Sequence, residues 1–108
     1  MASFNDREKT FERKFEHDEE LRFKVTARRN RLLGMWAAQE LGLPAAEHDA
    51  YAKSVVMADF EKPGDSDVVE KVMKDFADRG LAMTEHRLRN HMDELMKTAR
   101  EQIMSEAR

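Results

Sequence analysis

A chain of 108 residues has room for one domain with a modest core, and here 38% of them are charged against 41% apolar, with a net charge of −3. Four glycines and two prolines are too few for the turns of an all-β protein, so the composition is helical. The absence of cysteine excludes a disulfide framework, a thiolate nucleophile and a Cys-based zinc site.

Residues 1–8, MASFNDRE, hold no apolar run and no early basic cluster, so they do not read as a secretory signal. No run in the chain approaches the ~18 apolar residues of a membrane span. A soluble, cytoplasmic protein is the expectation.

The first predicted element is an arm at residues 1–18. On a helix, Phe4, Phe11 and Phe15 fall within an arc of about 40°. Glu8, Glu12 and Glu16 line one flank of that edge, and Arg7 and Lys14 the other. Asn5 or Asp6 can cap its start. Burying three phenylalanines yields roughly 1.5–3 kcal/mol each, whereas fixing a backbone costs roughly 1–2 kcal/mol per residue. The arm is therefore expected to be frayed or disordered alone and helical when a groove accepts its aromatic edge. That groove belongs either to a partner or to the rest of this domain, and the pattern leaves both open.

Helical spacing predicts a four-helix bundle over residues 19–108, with helices at about 19–42, 44–62, 66–79 and 84–106. In the first, Leu21, Val25, Leu32 and Trp36 share a face with Leu33, Met35, Ala37 and Leu41, and Gly42 and Pro44 are stop signals. This face is rotated by about 70° from the phenylalanine edge, so a break is expected near residues 17–20. Pro44 suits the first turn of the second helix, whose apolar side is Tyr51, Val55, Val56, Ala58 and Phe60. Pro63-Gly64 marks a turn. Asp65 or Ser66 can cap the third helix, carrying Val68, Val69, Val72, Met73 and Phe76. Gly80 ends it. Thr84 can cap the fourth, with Leu88, Met92, Leu95, Ala99 and Ile103, widened by Met96 and Met104.

Catalytic and cofactor motifs are missing. There is no phosphate loop, and the glycines sit where helices end. His86 and His91 are five apart and diverge on a helix, whereas paired ligands want i, i+4. His91 and Glu94 can face together, but two ligands make no site. Solvated surface is the reading for the histidines, with His17, beside Asp18, Glu19 and Glu20, the one placed to tune the arm with pH. Asp65-Ser66-Asp67 opens like a calcium loop but lacks the later acids. No catalytic residue, cofactor or metal is expected.

Five bases and no acid occupy residues 21–33: Arg22, Lys24, Arg28, Arg29 and Arg31. They scatter around the helix instead of forming one stripe, and Glu20 can pair with Lys24 at i, i+4. Solvated flank is the reading, and a nucleic-acid surface the alternative.

The run F-x-D-R-E-x-x-F-E-x-K-F-x-H-D-E-E, followed by RRNRLLGMWAAQELG and YAKSVVMADFEKPGDSDVVEKV, resembles the zeta subunit of alpha-proteobacterial ATP synthases. The resemblance covers essentially the whole chain. It loosens toward the C-terminus, where His86 and His91 depart from the pattern. It implies a four-helix bundle with a mobile inhibitory arm, and an inhibitor of ATP hydrolysis rather than an enzyme. The arm would insert as a helix at a catalytic interface between the alpha and beta subunits, beside gamma. Matching positions imply partner-binding roles for Phe4, Asp6, Arg7, Glu8, Phe11, Glu12, Lys14, Phe15, His17, Asp18, Glu19 and Glu20. The implied protein is a monomer when free, lies peripheral to the membrane-bound enzyme without inserting in the membrane, and takes no nucleic acid.

Overall fold

The computed structural model of the chain describes residues 19–60 and 64–107. Four helices make up the fold of the described residues: α1 (Glu19–Glu40), α2 (Ala45–Ala58), α3 (Ser66–Asp78) and α4 (Glu85–Ala107). The all-α class and the order of elements agree with the expectation from periodicity. The predicted second helix runs too long: α2 stops at Ala58, and Phe60 lies in the turn beyond it.

The helix ends follow from local chemistry. After α1, the Gly42 N–H donates to the Gln39 carbonyl (3.0 Å) and the Leu43 N–H to the Ala38 carbonyl (3.0 Å). That pair of bonds satisfies the last carbonyls only if the residue at position 42 turns left-handed, and Gly42 does so at φ 76°. Gly80 repeats the arrangement after α3, with the Leu81 N–H donating to the Phe76 carbonyl at 2.9 Å. The Thr84 hydroxyl accepts from the Arg87 N–H (3.1 Å) at the start of α4, as the sequence suggested. Asp65 is a correction. It stands at the N-cap position of α3 but makes no side-chain cap bond, because its carboxylate is committed elsewhere.

All four helices contribute to one core of Leu33 and Ala37 from α1, Leu41 from the turn after it, Val55 from α2, Val68, Val69, Val72 and Phe76 from α3, and Leu88 and Met92 from α4. Trp36 packs against it, 6.2 Å from the Phe76 ring. A second, smaller cluster of Val25, Ala99, Ile103 and Met104 joins α1 to α4 alone. The two helices run antiparallel, with Arg28 reaching Gln102 and Glu106, and Trp36 stacking on His91.

Against α2, α1 comes much closer. A Cβ at Gly34 would collide with the Ala52 Cα, so the glycine is required by the helix crossing and not by backbone freedom. On the far side of α2, the Tyr51 hydroxyl donates to Asp75 (2.7 Å), and Lys71 bonds the same oxygen at 3.1 Å. Burial, followed by that hydrogen bond and the Asp75 charge, holds the Tyr51 hydroxyl protonated well above the ordinary phenol range.

Candidate functional site

Because α1 is flanked by α2 on one side and α4 on the other, part of its first half is left facing solvent between them. A groove of about 630 Å³ opens there. Phe23 and Ala27 of α1, Val56 of α2 and Ile103 of α4 provide its apolar surface. Four cations, Lys24, Arg28, Arg31 and Lys53, and two carboxylates, Asp49 and Glu106, share the rest of the lining.

The cations are loosely committed. Arg31 pairs with Asp49 at 2.7 Å and Lys24 with Glu20 at 3.5 Å, all four side chains half exposed or more. Such pairs contribute on the order of 0–1 kcal/mol and exchange partners readily. Arg28 is held more firmly, with Gln102 and Glu106 both at 2.8 Å. Lys53 has no ion pair with any described residue.

At one end the groove continues into a smaller recess bounded by Phe23, Thr26, Asn30, Asp59 and Phe60. The rings of Phe23 and Phe60 meet at 5.5 Å between centroids yet remain 54% and 56% exposed, and Met57, shortly before Phe60 in sequence, is 55% exposed. Large exposed aromatics rimmed by charge are a usual mark of a contact surface.

Beneath this rim lies a polar cluster that fixes the turn after α2. Arg29 is 1% exposed. Its guanidinium donates to both Asp65 oxygens, at 2.6 and 3.4 Å, and its Nε to Asn30 at 2.7 Å. This two-oxygen geometry explains how a helix of otherwise solvated bases keeps one arginine buried. Asp59 sits at the cluster's edge. Burial raises its pKa above the usual carboxylate range; Asn30 and Arg29 oppose the shift, and Asp65 and Asp67 add to it.

A second cleft, between α1 and α4, is lined by Trp36, Met83, Arg87, Asn90, His91 and Glu94. His91 stacks on Trp36 at 4.0 Å and approaches Glu94 at 3.9 Å. The reading of the histidines as solvated surface holds for His86, which is exposed. It fails for His91 and for His48, whose Nε2 lies 2.7 Å from the Leu43 carbonyl oxygen. Both are half-buried, His48 with its ring edge on that carbonyl and His91 with its ring packed on Trp36. Among the described residues, no group of three or more His, Asp or Glu side chains could hold a metal ion.

Of the positions singled out by sequence, Glu19 and Glu20 are described, both exposed on the first turn of α1. Phe4, Asp6, Arg7, Glu8, Phe11, Glu12, Lys14, Phe15, His17 and Asp18 lie outside the described residues, as does the arm they form. Phe23 was missed. A signal for it existed: it falls about 170° from the Leu21/Val25/Leu32/Trp36 face, and an aromatic on the polar side of an amphipathic helix needs a reason. Arg29 was misread, since the basic run was taken as solvated. Of the basic run behind the nucleic-acid alternative, Lys24, Arg28, Arg29 and Arg31 each pair with a carboxylate of the same chain.

The chain has been compared with known proteins. No curated protein matches it. A protein solved by solution NMR is 42% identical to it, with a TM-score of 0.70, over 80% of this chain and 98% of that one. The family model described as ATPase inhibitor subunit zeta matches residues 1–102, which takes in the arm, α1, α2, α3 and most of α4. With that match spanning nearly its whole length, the chain belongs to the ATPase inhibitor subunit zeta family.

Proposed function

We propose that the protein stops ATP hydrolysis by the rotary ATP synthase of its own cell by inserting residues 1–18 at a catalytic interface between alpha and beta subunits, beside gamma. The family match carries this reading, because it includes the arm as well as the bundle. In this division of labour the arm is the effector and residues 19–108 are its support. The phenylalanine edge is buried in a cleft that exists in only some rotational states, so binding stabilises those states and opposes the motion that hydrolysis requires. The glutamate flank and the Arg7/Lys14 flank set register and discourage wrong docking. His17, Asp18, Glu19 and Glu20 stand at the junction of arm and bundle. The protein works as a regulatory subunit, not as an enzyme, in the cytoplasm against the catalytic head. No described helix is long and apolar enough to cross a membrane.

The test is a titration of ATP hydrolysis by the cognate enzyme. Wild type is expected to inhibit. Phe11→Ala and Phe15→Ala are expected to weaken inhibition at least tenfold, the equivalent of losing about 1.4 kcal/mol of binding per ring, with the helical content of the bundle unchanged. Equal inhibition by wild type and both variants would sink the reading.

A further inference from the structure

The groove between α2 and α4 is open, and the chain that leads into α1 carries an aromatic edge with acids beside it, suited to an apolar lining with more cations than anions. We propose that, in the free protein, residues 4–15 fold back as a helix into this groove, so that the chain holds its own phenylalanine edge until a partner competes for it. The inference rests on the reading of residues 1–18 as the effector arm, and it assigns that arm a resting place.

Position comes first. The groove lines the stretch of α1 from Phe23 to Arg31, beginning one turn after Glu19, so the arm needs no long excursion. A reversal through residues 16–18 is within the usual 2–8 residues of a helix–helix connection. Phe4 to Phe15 spans about 17 Å as a helix, against about 12 Å of α1 between Phe23 and Arg31. The arm is long enough to lie along the whole groove.

Chemistry is the second observation. Along the arm, Glu8 and Glu12 lie within about 80° of the phenylalanine edge, so acid and aromatic share one side of the helix. Along the groove, Lys24, Arg28, Arg31 and Lys53 outnumber Asp49 and Glu106 and share one surface with Phe23, Val56 and Ile103. Lys53 is without a carboxylate among the described residues, and the Arg31 and Lys24 pairs are exposed enough to give way. Docking would also cover the Phe23 ring, which is 54% exposed.

Tethering is the third. A short connection presents the arm to the groove at an effective concentration in the millimolar range, so a contact too weak to hold between separate molecules is populated within one. The consequence is regulatory. The same edge cannot face the groove and an enzyme cleft together, and the apparent affinity for the enzyme falls by the fraction of arms that are free.

The absence of cysteine allows a single nitroxide at Thr10→Cys, off the phenylalanine edge, in the full chain. Amide signals of Ala27, Val56 and Ile103 are expected to broaden in the labelled protein, and those of Leu81 and Met83, at the other end of the bundle, to keep their intensity. Charge reversal at two exposed positions, Lys24→Glu with Lys53→Glu, is expected to restore the groove signals. It should also lower the concentration for half-inhibition of the enzyme by about threefold if two arms in three are docked at rest. Groove signals that never broaden, or that stay broadened in the double variant, overturn the proposal. So does broadening that appears only between a labelled and an unlabelled molecule, which would place a second copy in the groove. The resonance experiment uses no enzyme, so fold-back can fail while inhibition stands, and inhibition can fail while fold-back stands.

Discussion

Three residues in the described part of the chain do work that their types do not advertise. Gly34 stands mid-helix, where alanine would gain about 1 kcal/mol of helix propensity. Its missing methyl is what lets α1 meet the Ala52 backbone, and overpacking costs about 1–3 kcal/mol, with a backbone less able to yield than a side chain. Gly34→Ala is expected to be destabilising by about 1–2 kcal/mol in chemical denaturation. Arg29, buried on α1, depends on Asp65 across the chain. Asp65→Ala strands that guanidinium and is expected to cost about 2 kcal/mol, less than the ~3–5 of a fully buried pair, because the Asp65 side chain is 41% exposed.

Asp59, with its raised pKa, makes a prediction of opposite sense. A carboxyl whose pKa is higher folded than unfolded contributes stability that is full below the unfolded pKa and lost as pH rises through the folded one. At neutral pH its charge therefore works against the fold. Asp59→Asn, uncharged throughout, is expected to melt above wild type at pH 7. The difference should close as the pH falls below about 4, the ordinary carboxylate value. A wild type that melts above the variant at pH 7 would refute the assignment.

At the scale of elements, the four helices were legible because two kinds of signal agreed. The 3–4 spacing of Val68, Val69, Val72 and Phe76 and of Leu88, Met92, Ala99 and Ile103 predicted the faces that are buried. Gly42, Gly80 and Thr84 marked ends that the backbone bonds confirm. Thr84→Ala is accordingly expected to cost about 1 kcal/mol, read as a lower melting temperature with the fold retained. The end of α2 was less legible. Apolar spacing carried the predicted helix past Phe60, whereas the chain turns there to set Asp59 and Asp65 beside Arg29. Pro63-Gly64 signalled a turn nearby, but the earlier stop at Ala58 goes with a buried charge on another helix, which no local pattern reports.

At the scale of the whole molecule, the groove could not be read from sequence at all. It exists because α2 and α4 take different sides of α1, a matter of packing among three elements separated along the chain. Its parts were visible singly: the bases of α1 as a run, Val56 as an apolar position, Ile103 as the end of a stripe. The partner-binding roles proposed for the arm rest on resemblance and on the pattern of its residues, which lie outside the described residues, save Glu19 and Glu20. What the structure adds is a surface on the bundle with the chemistry to receive such an arm.

The division of the interior into two clusters sets an order of opening. Where four helices meet, an amide is protected by partners on several sides; where α1 and α4 are alone, few contacts need to separate. Amides of residues 21–28 and 99–105 are therefore expected to exchange with deuterium at lower free energy than those of residues 33–41 and 68–76. Uniform exchange across all four stretches would mean the chain opens as one unit. Otherwise, among the described residues, the two-helix end yields before the four-helix end, and the start of α1 is a compliant root on a stiffer base.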